Sequence, residues 1–177
     1  METVRRVLDA AHLHSGSLLG IYLNDHRGGS AGGVALARRS QSNNQGSPLG
    51  DELAVIVRAL EHDAATLSAI AARLSVPDDP IKRAFARAGE LVGRLKTNGR
   101  LTAYSPLSRL LELEMLLAGI DAKRSLWRSL NTLAIGELSD FDFEELEQRA
   151  TTQRTRLIPF HTQAARDALA SQSAPAT

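Results

Sequence analysis

Leu53, Ile56, Leu60, Asp63, Leu67, Ile70 and Leu74 recur at alternating intervals of three and four residues. Only a helix brings such positions onto one face, so residues 49–74 are expected to form a helix that buries this stripe against other helices. Asp63 is the single polar member of the two rows. A carboxylate in an apolar layer must be paired, bound to a cation or protonated, and the rest of the chain has to supply one of these.

The preceding segment, residues 13–39, repeats the pattern less cleanly. Leu18, Tyr22, Asp25, Gly29, Gly32 and Leu36 fall at the same alternating spacing, which puts a second aspartate, Asp25, on a seam. Residues 28–33 read Gly-Gly-Ser-Ala-Gly-Gly. Each glycine costs about 1 kcal/mol relative to alanine inside a helix, yet periodicity resumes at Val34 and Leu36. That favours an unbroken helix whose small residues admit a close crossing, within the bundle or between subunits. No Gly-Lys-Ser or Gly-Lys-Thr follows the run, which argues against a phosphate-cradling loop. Residues 40–48 read as a polar loop.

Pro77 and Pro80 end the second helix and open a short third one over residues 80–96. Ser105 and Pro106 then have the cap-and-first-turn pattern of a fourth helix, expected to run to Leu133 through Leu110, Leu113, Leu117, Ile120, Arg124 and Trp127. Glu114 falls on or beside its apolar face. A fifth helix over residues 142–170 carries Phe143, Leu146, Ala150, Gln153, Leu157, Phe160 and Ala164 inward, with Pro159 expected to bend it. Residues 1–170 thus form one helical-bundle domain, and residues 171–177 a disordered tail without apolar anchors. The expected fold is all-α, a four-helix bundle with the short helix in the crossover between helices two and four.

Composition agrees with a helical core. Hydrophobic residues make up 43% but aromatics only 4%, so Leu, Ala, Ile and Val must fill the interior. The net charge of +1 provides no global field toward nucleic acid or an anionic membrane. The absence of cysteine rules out disulfides and thiolate metal sites. No apolar run approaches a membrane span, and a cytoplasmic location is the expectation. Basic residues gather between Lys82 and Arg109, with Arg83, Arg87 and Arg94 on one face; acidic residues gather between Glu137 and Glu147. These read as solvated faces or as patches that meet between subunits. No Gly-x-Ser-x-Gly, catalytic cysteine or His-Glu-x-x-His is present.

Tyr22-Leu23-Asn24-Asp25-His26, Glu61-His62-Asp63 and Glu112-Leu113-Glu114, on successive long helices, resemble the ferritin-like superfamily. The resemblance implies a bundle with one long crossover and carboxylate and histidine side chains turned inward. The Glu-x-x-His pair of such metal proteins is missing from this chain, so the site it implies is incomplete. Ser105-Pro106-Leu107-Ser108-Arg109-Leu110 with Glu112-Leu113-Glu114 also resembles a group of bacterial helical-bundle proteins to which no activity is assigned.

A turn centred near Asn44 sets Asp25 level with Asp63 and His26 level with His62. Three outcomes are open for such a layer: pairing with Arg124 or Arg128 of the fourth helix, a divalent metal or iron held by Asp25, His26, His62, Asp63 and Glu114, or a carboxyl that keeps its proton. The functional expectation is a non-catalytic bundle acting by self-association, as a homo-oligomer such as a dimer, or by protein–protein interaction. The alternative is a ferritin-like metal-binding or redox protein.

Overall fold

The computed structural model describes residues 17–77 and 104–170. The expected third helix, the basic face of Arg83, Arg87 and Arg94, His12, His14 and the tail lie outside the described residues. Among the described residues there are four α-helices and one 3₁₀ turn, and no strand: α1 Leu18–Asn43, α2 Pro48–Arg73, α3 Pro106–Leu133, the turn Gly136–Leu138, and α4 Phe143–Leu169. The all-α expectation is met, and the glycine run lies within an unbroken α1.

Each helix starts where a side chain caps an orphan backbone N–H. Ser17 accepts from Gly20, Ser47 from Gly50, Ser105 from Ser108 and Asp142 from Glu145. Pro48 and Pro106 occupy first-turn positions, where their missing N–H costs nothing. Pro159 sits inside α4 on its exposed side. The helix continues past it.

The helices pack as two hairpins, α1 with α2 and α3 with α4, joined by contacts of α1 with α3 and of α2 with α4. Every neighbouring pair is antiparallel. Arg38 reaches Glu61 and Arg39 reaches Glu112, both from late in α1. Arg156 at the middle of α4 reaches Glu52 early in α2, and Arg73 at the end of α2 reaches Asp140 just before α4. The order is therefore up, down, down, up. The end of α2 and the start of α3 therefore lie at opposite ends of the bundle, about 40 Å apart for helices of this length.

Leu23, Leu53, Ile56, Ile70, Leu113, Ile120, Leu126, Trp127, Leu130 and Leu157 are almost completely buried and form the centre. Burying each such side chain contributes roughly 1.5–3 kcal/mol before entropy is counted. The stripes expected for α2 and α4 are the buried ones. Those of α1 and α3 are rotated. In α1 the buried positions are Gly20, Leu23, Gly28, Leu36, Ala37 and Ser40, while Leu18 and Asp25 face water. In α3, Leu116 and Glu112 point inward and Glu114 outward.

The α1–α2 turn is shorter than expected. Helix α1 continues to Asn43, and the link is residues 44–47, with Gly46 at φ +73°. Asn44 is the pivot. Its carbonyl accepts from Ser47 Oγ at 2.7 Å, and its side-chain amide donates to Ser40 O at 2.7 Å. Gly50 presses on that carbonyl: a Cβ there would lie 2.2 Å from Asn44 O. The obstacle is backbone, which cannot rotate away. Gly50→Ala should therefore destabilise by roughly 1–3 kcal/mol despite alanine's better helix propensity. A thermal melt of that variant matching the parent would contradict this account of the turn.

Candidate functional site

Asp63 lies near the middle of α2 with its side chain only 1% exposed. Three side chains from two other helices converge on it. Lys123 of α3 donates to Oδ2 at 2.5 Å, and Gln153 of α4 donates to the same oxygen at 2.8 Å. Arg149 of α4, one turn before Gln153, donates to Oδ1 at 2.7 Å. Lys123 also donates to Gln153 Oε1, closing a ring of three groups. Three of the roughly four acceptor positions of the carboxylate are thereby used.

One negative charge stands against two positive ones here. Burial pushes the Lys123 ammonium below its ordinary value, and the nearby Arg149 adds to this, while Asp63 pulls it back up. Arg149 is 26% exposed and relieves part of the excess toward water. Its guanidinium also lies 2.6 Å from His62 Nδ1. A guanidinium can only donate, so Nδ1 accepts and the imidazole proton sits on Nε2.

Of the three outcomes open for a buried Asp63, the structure contains cation pairing, but through Lys123 and Arg149. Arg124 pairs with Asp121, and Arg128 with Glu147, on the surface of α3 and α4. The expected layer of two acids and two histidines does not form. Asp25 is exposed on α1. His26 is half-buried, edge-on to Tyr22 with ring centroids 4.6 Å apart. Burial pushes its imidazole below the usual value, partly offset by Asp25. His62 is exposed, and Glu114 is exposed with its carboxylate 3.6 Å from His161 Nε2. The cause is register. Because α1 runs to Asn43 and the turn centres on Gln45 and Gly46, Asp63 comes level with Gly28 rather than Asp25; Ser30 and Gly33 border the same cavity as Asp63. Among the described residues, no group of three or more His, Asp or Glu side chains gathers as a metal-ligand set.

A second buried carboxylate lies near the α1–α2 turn. Glu112 is 3% exposed. Its Oε1 accepts from Arg39 Nε at 3.1 Å, and its Oε2 accepts from the Tyr104 hydroxyl at 3.0 Å. Tyr104 in turn accepts from Asn44 Nδ2 at 2.8 Å, and Arg109 donates to Asn44 Oδ1 at 2.9 Å. Burial raises the Tyr104 hydroxyl above its ordinary value; the Asn44 hydrogen bond opposes this and Glu112 reinforces it. This cluster ties α1, the turn and the start of α3 together.

The sequence pattern singles out neither Lys123 nor Arg149, and it puts Glu114 rather than Glu112 on or beside the apolar face of α3. Lys123 falls three residues after Ile120 and four before Trp127, both inward-facing, which is the signal that could have found it. Arg149 is one helical turn from Gln153, and that spacing carried the same information.

No protein-family model, curated protein or solved structure matches this chain.

The geometry gives a pH-dependent expectation. Asp63→Asn leaves Lys123 and Arg149 without their counter-charge and should destabilise by about 3 kcal/mol at neutral pH. It also removes the main influence holding the Lys123 ammonium up, so that group should fall further. A lysine depressed in the folded state binds fewer protons there than in the unfolded state. Stability then rises with pH from the depressed value up to the ordinary lysine value. Urea titrations across that alkaline window should show a steeper rise for Asp63→Asn than for the parent. Equal slopes would mean that Asp63 does not act on Lys123.

Proposed function

We propose that this chain is a non-catalytic helical-bundle protein that works in the cytoplasm by self-association, as a homodimer. The observation that carries the reading is an apolar patch at one end of the bundle. Leu18 and Ile21 at the start of α1 are 88% and 46% exposed, and Leu133 at the end of α3 is 43% exposed. The antiparallel packing of α1 and α3 brings these three to the same end. Apolar side chains clustered in this way favour a protein contact, and a two-fold dimer would bury the patch against its own copy. The two buried carboxylates support a structural role for the interior, because each is engaged by cations or hydroxyl donors of the same chain.

A second reading is a ferritin-like fold that binds a divalent metal or iron. The up, down, down, up order of the four helices favours it, since ferritin-like bundles run in that order. In this reading Asp25, His26, His62, Asp63 and Glu114 would be the ligands, brought together by rearrangement of their helices. Elemental analysis of purified protein separates the readings: stoichiometric iron, manganese or zinc supports the second and counts against the first.

Self-association has its own test. Light scattering after size exclusion should give twice the chain mass for the parent and the chain mass for Leu18→Glu/Ile21→Glu. A parent that runs as a monomer at high micromolar concentration would overturn the proposal.

A further inference from the structure

Between α1 and α3, with α2 as its floor, lies a cavity of about 110 Å³. Its walls are apolar, formed by Leu60, Leu67, Leu116, Ile120 and Leu126. The small residues that the sequence places in the glycine run border it. A Cβ added at Gly29 or Gly33 of α1, or at Gly119 of α3, would meet no atom within 4 Å. These positions are therefore not close helix crossings. Gly29 and Gly119 are exposed, which puts them at the mouth.

The polar groups on the α2 and α3 side of the cavity are unbalanced toward donors, while His26 and Ser30 border it from α1. Trp127 is fully buried, and its Nε1–H has no hydrogen-bond acceptor among the described residues. A buried N–H left in that state costs about 1–3 kcal/mol. Lys123 carries three N–H donors and uses two, on Asp63 and Gln153. Asp63 also borders the cavity, but both its oxygens already accept hydrogen bonds. The cluster of Asp63, Lys123 and Arg149 holds one more positive charge than negative. A molecule that fits must bring an acceptor, preferably an anionic one, on an apolar body.

We propose that this cavity binds a small aliphatic carboxylate, a chain of about three or four carbons, whose carboxylate takes hydrogen bonds from Lys123 Nζ and Trp127 Nε1. The size follows from the volume: an apolar cavity of about 150 Å³ admits the six carbons of benzene, and this one, at about 110 Å³, admits fewer. The apolar tail lies against Leu67, Leu116 and Leu126. The anion balances the surplus charge, and the buried indole N–H gains its acceptor. Short length and a charged head distinguish this ligand from a membrane lipid or a long fatty acid, neither of which the cavity can hold. The inference does not depend on the oligomeric state.

Trp127 is the only tryptophan, so its emission reports on this cavity alone. Titrating the full-length protein with sodium butyrate should give a saturable change in that emission, with a matching heat by calorimetry. Butanol, which has the tail without the anion, should bind at least tenfold more weakly. Gly33→Leu places a side chain in the cavity without a backbone clash and should abolish the response while the helical circular dichroism is retained. Lys123→Met should weaken butyrate at least tenfold and leave butanol unchanged. Absence of saturation by both methods overturns the proposal. So does equal binding of butanol, which would mean an apolar cavity without anion recognition, and so does undiminished binding by a folded Gly33→Leu protein, which would place butyrate elsewhere.

Discussion

The bundle depends on how one buried carboxylate is neutralised. Asp63 sits where an apolar residue would be expected, and it is held by Lys123 from α3 and by Arg149 and Gln153 from α4. Leucines can slide past one another by a turn at small cost, whereas a buried ion pair cannot. A slip of α4 by one turn would carry Arg149 and Gln153 away together and leave Asp63 with Lys123 alone. The pair therefore fixes register more than it adds net stability, since taking the charges out of water offsets much of their attraction.

The second polar cluster does the same work at the turn end. Glu112, Arg39, Tyr104, Asn44 and Arg109 link the end of α1 to the start of α3. The end of α2 and the start of α3 lie at opposite ends of the bundle, so no tight turn sets α3 against α2. Its height against α1 is instead fixed by side chains. Two anchors, one near mid-bundle and one at the turn, define where α3 sits along its neighbours. The cavity lies beside the first anchor, where the glycines of α1 leave room that larger side chains would fill.

How much of this could be read from the sequence differed by helix. In α2 every third or fourth residue is a large apolar one, so the phase was determined and Asp63 was correctly placed inside. In α4 the inner stripe was legible for the same reason, Gln153 included. In α1, no large apolar residue falls between Leu23 and Val34, and the glycines fit any face. Tyr22 and Leu23 are then equally good seam members; a seam through Tyr22 turns Asp25 inward, whereas the structure buries Leu23 and exposes Asp25. In α3, Leu116 and Leu117 are adjacent, as are Leu110 and Leu111, so the apolar pattern tolerated a rotation that exchanged Glu112 for Glu114. Register between helices was the least legible feature. It hung on whether residues 40–43 were loop or helix, and those polar residues have no strong preference that decides it. The lysine partner of Asp63 was hidden because long cationic side chains usually reach water.

The most direct test of the central claim is a double-mutant cycle on Asp63→Asn and Lys123→Met, measured by urea unfolding at neutral pH. If the buried carboxylate and the ammonium act as a unit, the double variant should be more stable than the two single losses sum to, with a coupling of roughly 1–3 kcal/mol. Losses that add to within about 0.5 kcal/mol would show that the two groups are energetically independent, and that the register of the bundle is set by its apolar packing alone.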